Sequence, residues 1–118
     1  ADLCGLSTPD YLSGVSLVPV LNDPAARPRT AAFTQYANGY SIRTETYRYT
    51  QWGADGKDGV ELYDHRSDTA EMVNLAGHPQ YIDIVHHLSK RLRQRIVDAH
   101  RAPEGIEQIH FDNRRRVR

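Results

Sequence analysis

Between residues 31 and 64 apolar and polar positions alternate with a two-residue period; between residues 79 and 101 they recur at steps of three and four. The first pattern predicts strands at about Ala31–Tyr36, Tyr40–Thr44, Tyr47–Gln51 and Gly59–Tyr63. In the last of these, Val60 and Leu62 alternate with Glu61 and Tyr63, as a half-buried strand requires. The predicted connections are Ala37-Asn-Gly39, a tight turn near Glu45-Thr46, and a loop from Gly53 to Asp58. That loop holds Asp55-Gly56 and runs into Gly59, residues suited to positive-φ turns. Loops this short force neighbouring strands to run antiparallel, so the expectation is a four-stranded meander.

The second pattern predicts one long amphipathic helix. Pro79 suits its first turn, and Asp83 sits near the start, where the helix dipole favours an anion. Tyr81, Val85, Leu88, Leu92, Ile96 and Ala99 form the apolar stripe. Lys90, Arg91, Arg93, Gln94 and Arg101 lie on the opposite side, and Ala102-Pro103 ends the helix. A sheet of four strands must cover one face, so the stripe should lie against it. The fold class expected is α+β: a four-stranded antiparallel sheet packed against one long C-terminal helix, with an irregular N-terminal segment. A further helix start is expected after the fourth strand. There Asp68 would accept from free backbone N–H groups and Glu71, three residues on, would reach back to the cap.

Three zones follow. Residues 1–30 are proline-rich and weakly periodic, with a short apolar strip (Val15, Leu17, Val18, Val20, Leu21) that needs an outside surface to bury it. Residues 31–102 hold the sheet and helix. Residues 103–118 are expected as a poorly ordered extension, in which Ile106, Ile109 and Phe111 are able to pin one turn.

A length of 118 residues suits a single domain with one modest core. Lys+Arg and Asp+Glu balance at 15 each, which gives no whole-chain electrostatic case for nucleic acid or membrane. Seven of the ten aromatic residues are tyrosine, favouring strands and half-exposed faces. The single cysteine cannot form an internal disulfide, and no apolar run approaches the ~20 residues of a membrane span. The opening Ala-Asp-Leu reads as the middle of a longer protein.

Most tempting chemistry has a plainer structural reading. The six histidines (His65, His78, His86, His87, His100, His110) include no i,i+4 pair in a ligand setting, so they read as surface or structural residues. Asp64-His65 beside Asp68 has no nucleophile in reach and reads as turn capping. Arg114-Arg-Arg116 with Arg118 reads as a solvated tail. Tyr40, Tyr47, Tyr49 and Trp52 read as cross-strand packing, with a sugar-stacking platform as the alternative. Arg43 and Arg48 should pair with Glu45 or Glu61.

Glu61-Leu-Tyr-Asp64, then Asp68-x-x-Glu71, then Asn74-Leu75 resembles the closing motif of the sulfatases, which lies in their small C-terminal subdomain. Ala1-Asp-Leu-Cys-Gly-Leu-Ser-Thr-Pro-Asp10 and Leu12-Ser-Gly-Val-Ser-Leu-Val-Pro-Val-Leu21 resemble the segment that joins the large sulfatase domain to the small one. Thr34-Gln-Tyr36, Gly39-Tyr-Ser-Ile-Arg-Thr44 and Tyr47-Arg-Tyr-Thr-Gln-Trp52 are similar to the iduronate-2-sulfatase branch, although Ala37-Asn38-Gly39 replaces a Pro-Arg pair and a longer loop.

The resemblance implies a sulfuric ester hydrolase whose reaction centre lies elsewhere. Sulfatases place a formylglycine precursor in Cys-x-Pro-x-Arg beside a divalent, calcium-type metal. Here Cys4 is followed by Gly5-Leu6-Ser7-Thr8, so no catalytic or metal residue and no cofactor is assigned to this chain. The implied partner is an N-terminal catalytic domain, with residues 1–30 lying along it. Gln35 and Tyr36, beside the loop that approaches the substrate pocket in that branch, are the candidate substrate-binding residues. The implied compartment is periplasmic or extracellular. The alternative is a stand-alone, non-catalytic binding or self-association module that engages another copy through its Val15–Leu21 strip and one sheet face.

Overall fold

A computed structural model describes residues 1–101 and 103–105. Its sheet contains β1 (Ala32–Tyr36), β2 (Gly39–Arg43), β3 (Tyr47–Trp52) and β4 (Gly59–Asp64). The spatial order is β1-β2-β3-β4, antiparallel throughout, so the expected meander and fold class stand. Short connections make each strand's sequence neighbour its spatial neighbour. At the β2–β3 turn Thr44 and Tyr47 exchange backbone and side-chain hydrogen bonds. Asp55 (φ 55°) and Gly56 (φ 79°) take the left-handed conformations expected of the β3–β4 loop.

The long helix covers one face of this sheet. Pro79–Tyr81 make a single 3₁₀ turn that leads into the helix at Ile82–His100. Leu88 and Leu92 are buried against Ile42, Tyr49 and Leu62, one each from β2, β3 and β4, with Tyr81, Ile84, Val85 and Ile96 packed around them. The stripe is as expected, except that Ala99 is exposed because the helix outruns the sheet. Burying five such side chains, at about 1.5–3 kcal/mol each, is the main stabilising term.

Two expectations change. No helix begins at Asp68. The chain from His65 to Gly77 is a series of turns, with Glu71 at φ 57°. Asp68 still caps, accepting from the Val73 N–H at 2.9 Å. Glu71, however, turns away to Arg48 and His65. The loop is instead tied to the free edge of β4. Asn74 accepts from the N–H of Leu62 and donates to the carbonyl of Val60, and the Leu75 N–H reaches the Leu62 carbonyl. A side-chain amide thus satisfies groups that a fifth strand would otherwise pair. Second, the apolar strip of the N-terminal segment contains a helix, α1 (Val18–Asn22), with Pro19 in its first turn. The long helix is α2 accordingly. Leu3, Leu6, Tyr11, Leu12, Leu17 and Leu21 of this segment are exposed. The turn expected around Ile106, Ile109 and Phe111, the Arg114–Arg118 tail, His110 and Ala102 lie outside the described residues.

Candidate functional site

Register divides the sheet into two chemically different faces. The face under α2 carries Phe33, Gln35, Tyr40, Ile42, Tyr49, Gln51, Val60, Leu62 and Asp64. The open face carries three rows: Tyr36, Gly39, Trp52 and Gly59; Thr34, Ser41, Thr50 and Glu61; Ala32, Arg43, Arg48 and Tyr63. Gln35 and Tyr36 therefore point to opposite sides, as neighbours in a strand must. Tyr36 is 77% exposed at the end of β1, a strand exposed along its whole length. Gln35 lines a hollow of about 310 Å³ between β1 and α2, with Phe33, Tyr40, Arg95 and Ile96 among its walls. The four aromatics of the supposed stacking platform are likewise split. Tyr40, Tyr47 and Tyr49 face the helix side, whereas Trp52 is on the open face.

The hairpin end beside Tyr36 is held rigidly. Ala37 takes φ 49° in the β1–β2 turn, and the Asn38 carbonyl accepts from the Gly53 N–H at 3.0 Å. Asn38 Nδ2 donates to Asp58 at 3.2 Å, joining this turn to the β3–β4 loop. Trp52 lies across Gly39, its ring filling the space a side chain would occupy there. Its indole N–H donates to Glu61 at 2.9 Å. On the helix side of the same end, a hollow of about 440 Å³ is lined by Asn38, Tyr40, Gln51, Asp55 and Arg93 among others. Gln51 is 3% exposed, and its Oε1 has no partner among the described residues.

At the other end of the sheet sits the charged motif. Arg48 grips Glu71 with two parallel bonds, Nε to Oε1 and Nη1 to Oε2, each 3.1 Å. His65 Nε2 meets the same Glu71 Oε1 at 2.6 Å. This replaces the expected pairing with Glu45 or Glu61, and it holds Glu71 in its left-handed conformation. Asp64, 5% exposed, takes the Arg66 guanidinium and backbone N–H. Arg66 hydrogen bonding holds the Asp64 carboxyl down to about 2. Backbone N–H groups of Met72 and Val73 keep Asp68 below the ordinary carboxylate range. Burial, then the charge of Glu61, pushes the Tyr63 hydroxyl up.

Asp64 and His65 are thus committed to different partners, Arg66 and Glu71, and do not form a base with its orienter. Among the described residues, no group of three or more His, Cys, Asp or Glu is placed to hold a metal ion. No described helix is long and apolar enough to cross a membrane.

Comparison with known proteins finds relatives over most of the sheet and helix. An N-acetylglucosamine-6-O-sulfatase of Bacteroides thetaiotaomicron is 32% identical over 92 residues, covering 68% of this chain and 16% of that protein. A Delta 4,5-hexuronate-2-O-sulfatase of the same organism is 30% identical over 93 residues, covering 71% of this chain and 19% of that protein. A solved structure of a protein in complex with its substrate D-glucosamine-2-N,6-O-disulfate superposes with a TM-score of 0.69 at 29% identity, over 82% of this chain and 22% of that one. The chain thus spans less than a fifth of the length of these curated relatives. The profile of one family, N-sulphoglucosamine sulphohydrolase, C-terminal, matches residues 1–98. The chain belongs to that family and is a sulfatase C-terminal subdomain.

Proposed function

We propose that this chain is the C-terminal part of a sulfuric ester hydrolase acting on a sulfated sugar. It supports the catalytic domain and contributes one wall of the substrate pocket. The observation that carries this reading is the family match over residues 1–98, combined with a span of only 16% and 19% of the matched relatives. The nucleophile and a divalent, calcium-type metal belong to the remainder. Those two relatives are named for sulfate at different positions of different sugars, which supports a glycosaminoglycan-type sulfate ester and a place near the iduronate-2-sulfatase branch. Residues 1–30 lie along the catalytic domain through the exposed Leu3, Leu6, Leu12 and Leu17, and residues 31–102 form the subdomain proper.

Within the wall, Tyr36 is the residue for sugar contact, being an exposed aromatic on a rigid hairpin end. Gln35 acts from the adjacent hollow, where Thr34, Arg95 and His100 are further polar groups. The test has two arms. The isolated chain should hydrolyse no aryl sulfate, and metal-dependent turnover by it would overturn the reading. In the longer protein, Tyr36→Ala should raise KM for a sulfated sugar while leaving aryl-sulfate kcat unchanged.

A second reading, self-association through the N-terminal strip, is favoured by one observation: Leu17 and Leu21 of that strip are 60% and 68% exposed. Sedimentation of the isolated chain tests it directly, a concentration-dependent dimer being its signature.

A further inference from the structure

Among the described residues, one cation of the sheet's open face, Arg43, has no acid partner. Arg43 and Arg48 stand directly opposite each other on β2 and β3, an arrangement of like charges that destabilises a sheet unless counter-charges are supplied. Glu71 supplies one, but it is gripped by Arg48 at both oxygens and shared with His65. Glu61, in the neighbouring row, is taken by the Trp52 indole. Among the described residues Arg43 makes no ion pair and no side-chain hydrogen bond, and its Nη1 is out of water with no partner. A donor of a charged group left in that state is costly, and the cost disappears when an acceptor arrives.

We infer that the open sheet face is the surface on which the catalytic portion of the sulfatase sits, and that Arg43 receives a carboxylate from it. This rests on the functional reading above. The composition fits an interface core, because tyrosine, tryptophan and arginine are the residues enriched there, and this face offers Trp52, Tyr63, Arg43 and Arg48. The exposed edge strand β1 continues the same surface. The relatives supply an occupant of sufficient size, since this chain accounts for only 16% and 19% of them. A second copy of this chain is a poorer occupant. In a two-fold pair each open face meets its own kind, and both of its acids, Glu61 and Glu71, are already engaged. A free sulfate is poorer too, because the hollows at the hairpin end and along β1 open on the helix side.

Hydroxyl-radical footprinting of the isolated chain and of the longer protein separates these outcomes. Modification of Trp52 and Tyr63 should fall several-fold in the longer protein, while His87 and Val97 on the outer side of α2 label equally in both. Arg43→Gln should lose most of that protection in the longer protein and leave the isolated chain's melting temperature unchanged or higher. Protection of His87 and Val97 with the open face still labelled would overturn the inference but not the proposed function. Retained protection in Arg43→Gln would overturn the role of Arg43. Loss of stability of the isolated Arg43→Gln chain would show an internal partner and overturn it equally. A native protein without any further domain would remove the occupant and, with it, the functional reading itself.

Discussion

Replacing Gly39 by alanine tests the geometry of the open face at its most crowded point. A Cβ built there stands 2.5 Å from Cζ3, 2.6 Å from Cε3 and 3.1 Å from Cη2 of Trp52, where ordinary contact begins at 3.4 Å. The indole must withdraw by about an ångström to reach a normal contact distance. It is held at its other end by the 2.9 Å bond to Glu61, so moving it strains or breaks that bond. Overpacking costs about 1–3 kcal/mol. Loss of a hydrogen bond to a charged acceptor adds about 1.5–3 kcal/mol, near the low end at a half-buried site. The gain of alanine over glycine in a strand returns about 0.5–1 kcal/mol. The net expectation is destabilisation of about 2 kcal/mol. Trp52 is the only tryptophan, so its fluorescence reports the displacement directly. Gly39→Ala should shift emission to longer wavelength and lower the urea midpoint. In a Trp52→Ala background the same change should be neutral or stabilising. Unaltered emission together with raised stability in the Trp52 protein would refute the placement of the ring.

Three other consequences follow. Leu62→Ala, at a side chain with no exposure in the centre of the core, should cost about 2–5 kcal/mol in urea unfolding. Asn74→Ala should cost about 1–3 kcal/mol, because it leaves the Leu62 N–H and the Val60 carbonyl of the β4 edge without partners; amide exchange at Leu62 should quicken with it. Asp64 titrates near 2 in the fold against an ordinary 3.8, so its contribution is complete above the ordinary value and is lost as pH falls towards 2. Thermal melts between pH 5 and 2 should show that loss, and Asp64→Asn should flatten it.

Much of this was legible in the chain because the signals were local. The strands follow from alternation, their loops from Asp55-Gly56 and Ala37-Asn-Gly39, and α2 from the Leu88, Leu92 and Ile96 spacing. The error at Asp68 arose where a local signal lost to distant partners. Asp-x-x-Glu permits a helix start, but Arg48 and His65 claim Glu71, and Asn74 is drawn to the edge of β4. Neither partner is visible from spacing, since Glu71 lies 23 residues from Arg48. The helix α1 had one readable cue, Pro19 after Leu17-Val18, which the apolar strip obscured. For the candidate site, strand alternation already separates Gln35 from Tyr36, but only the register shows which of them faces α2. The lack of an acid for Arg43 among the described residues was likewise invisible, because it depends on Glu61 and Glu71 being taken by Trp52 and by the Arg48–His65 pair.

On the proposed function, this sheet and helix are scaffold belonging to a larger hydrolase. Mass spectrometry of the protein isolated from its source is the most direct check. Peptides spanning Tyr47–Trp52 and Ile82–Arg91 should come from a polypeptide roughly five times longer, as the 16% and 19% coverage of its relatives implies, bearing a formylglycine within a Cys-x-Pro-x-Arg context. The same peptides found only in a species of 13.4 kDa, with no associated larger chain, would contradict it.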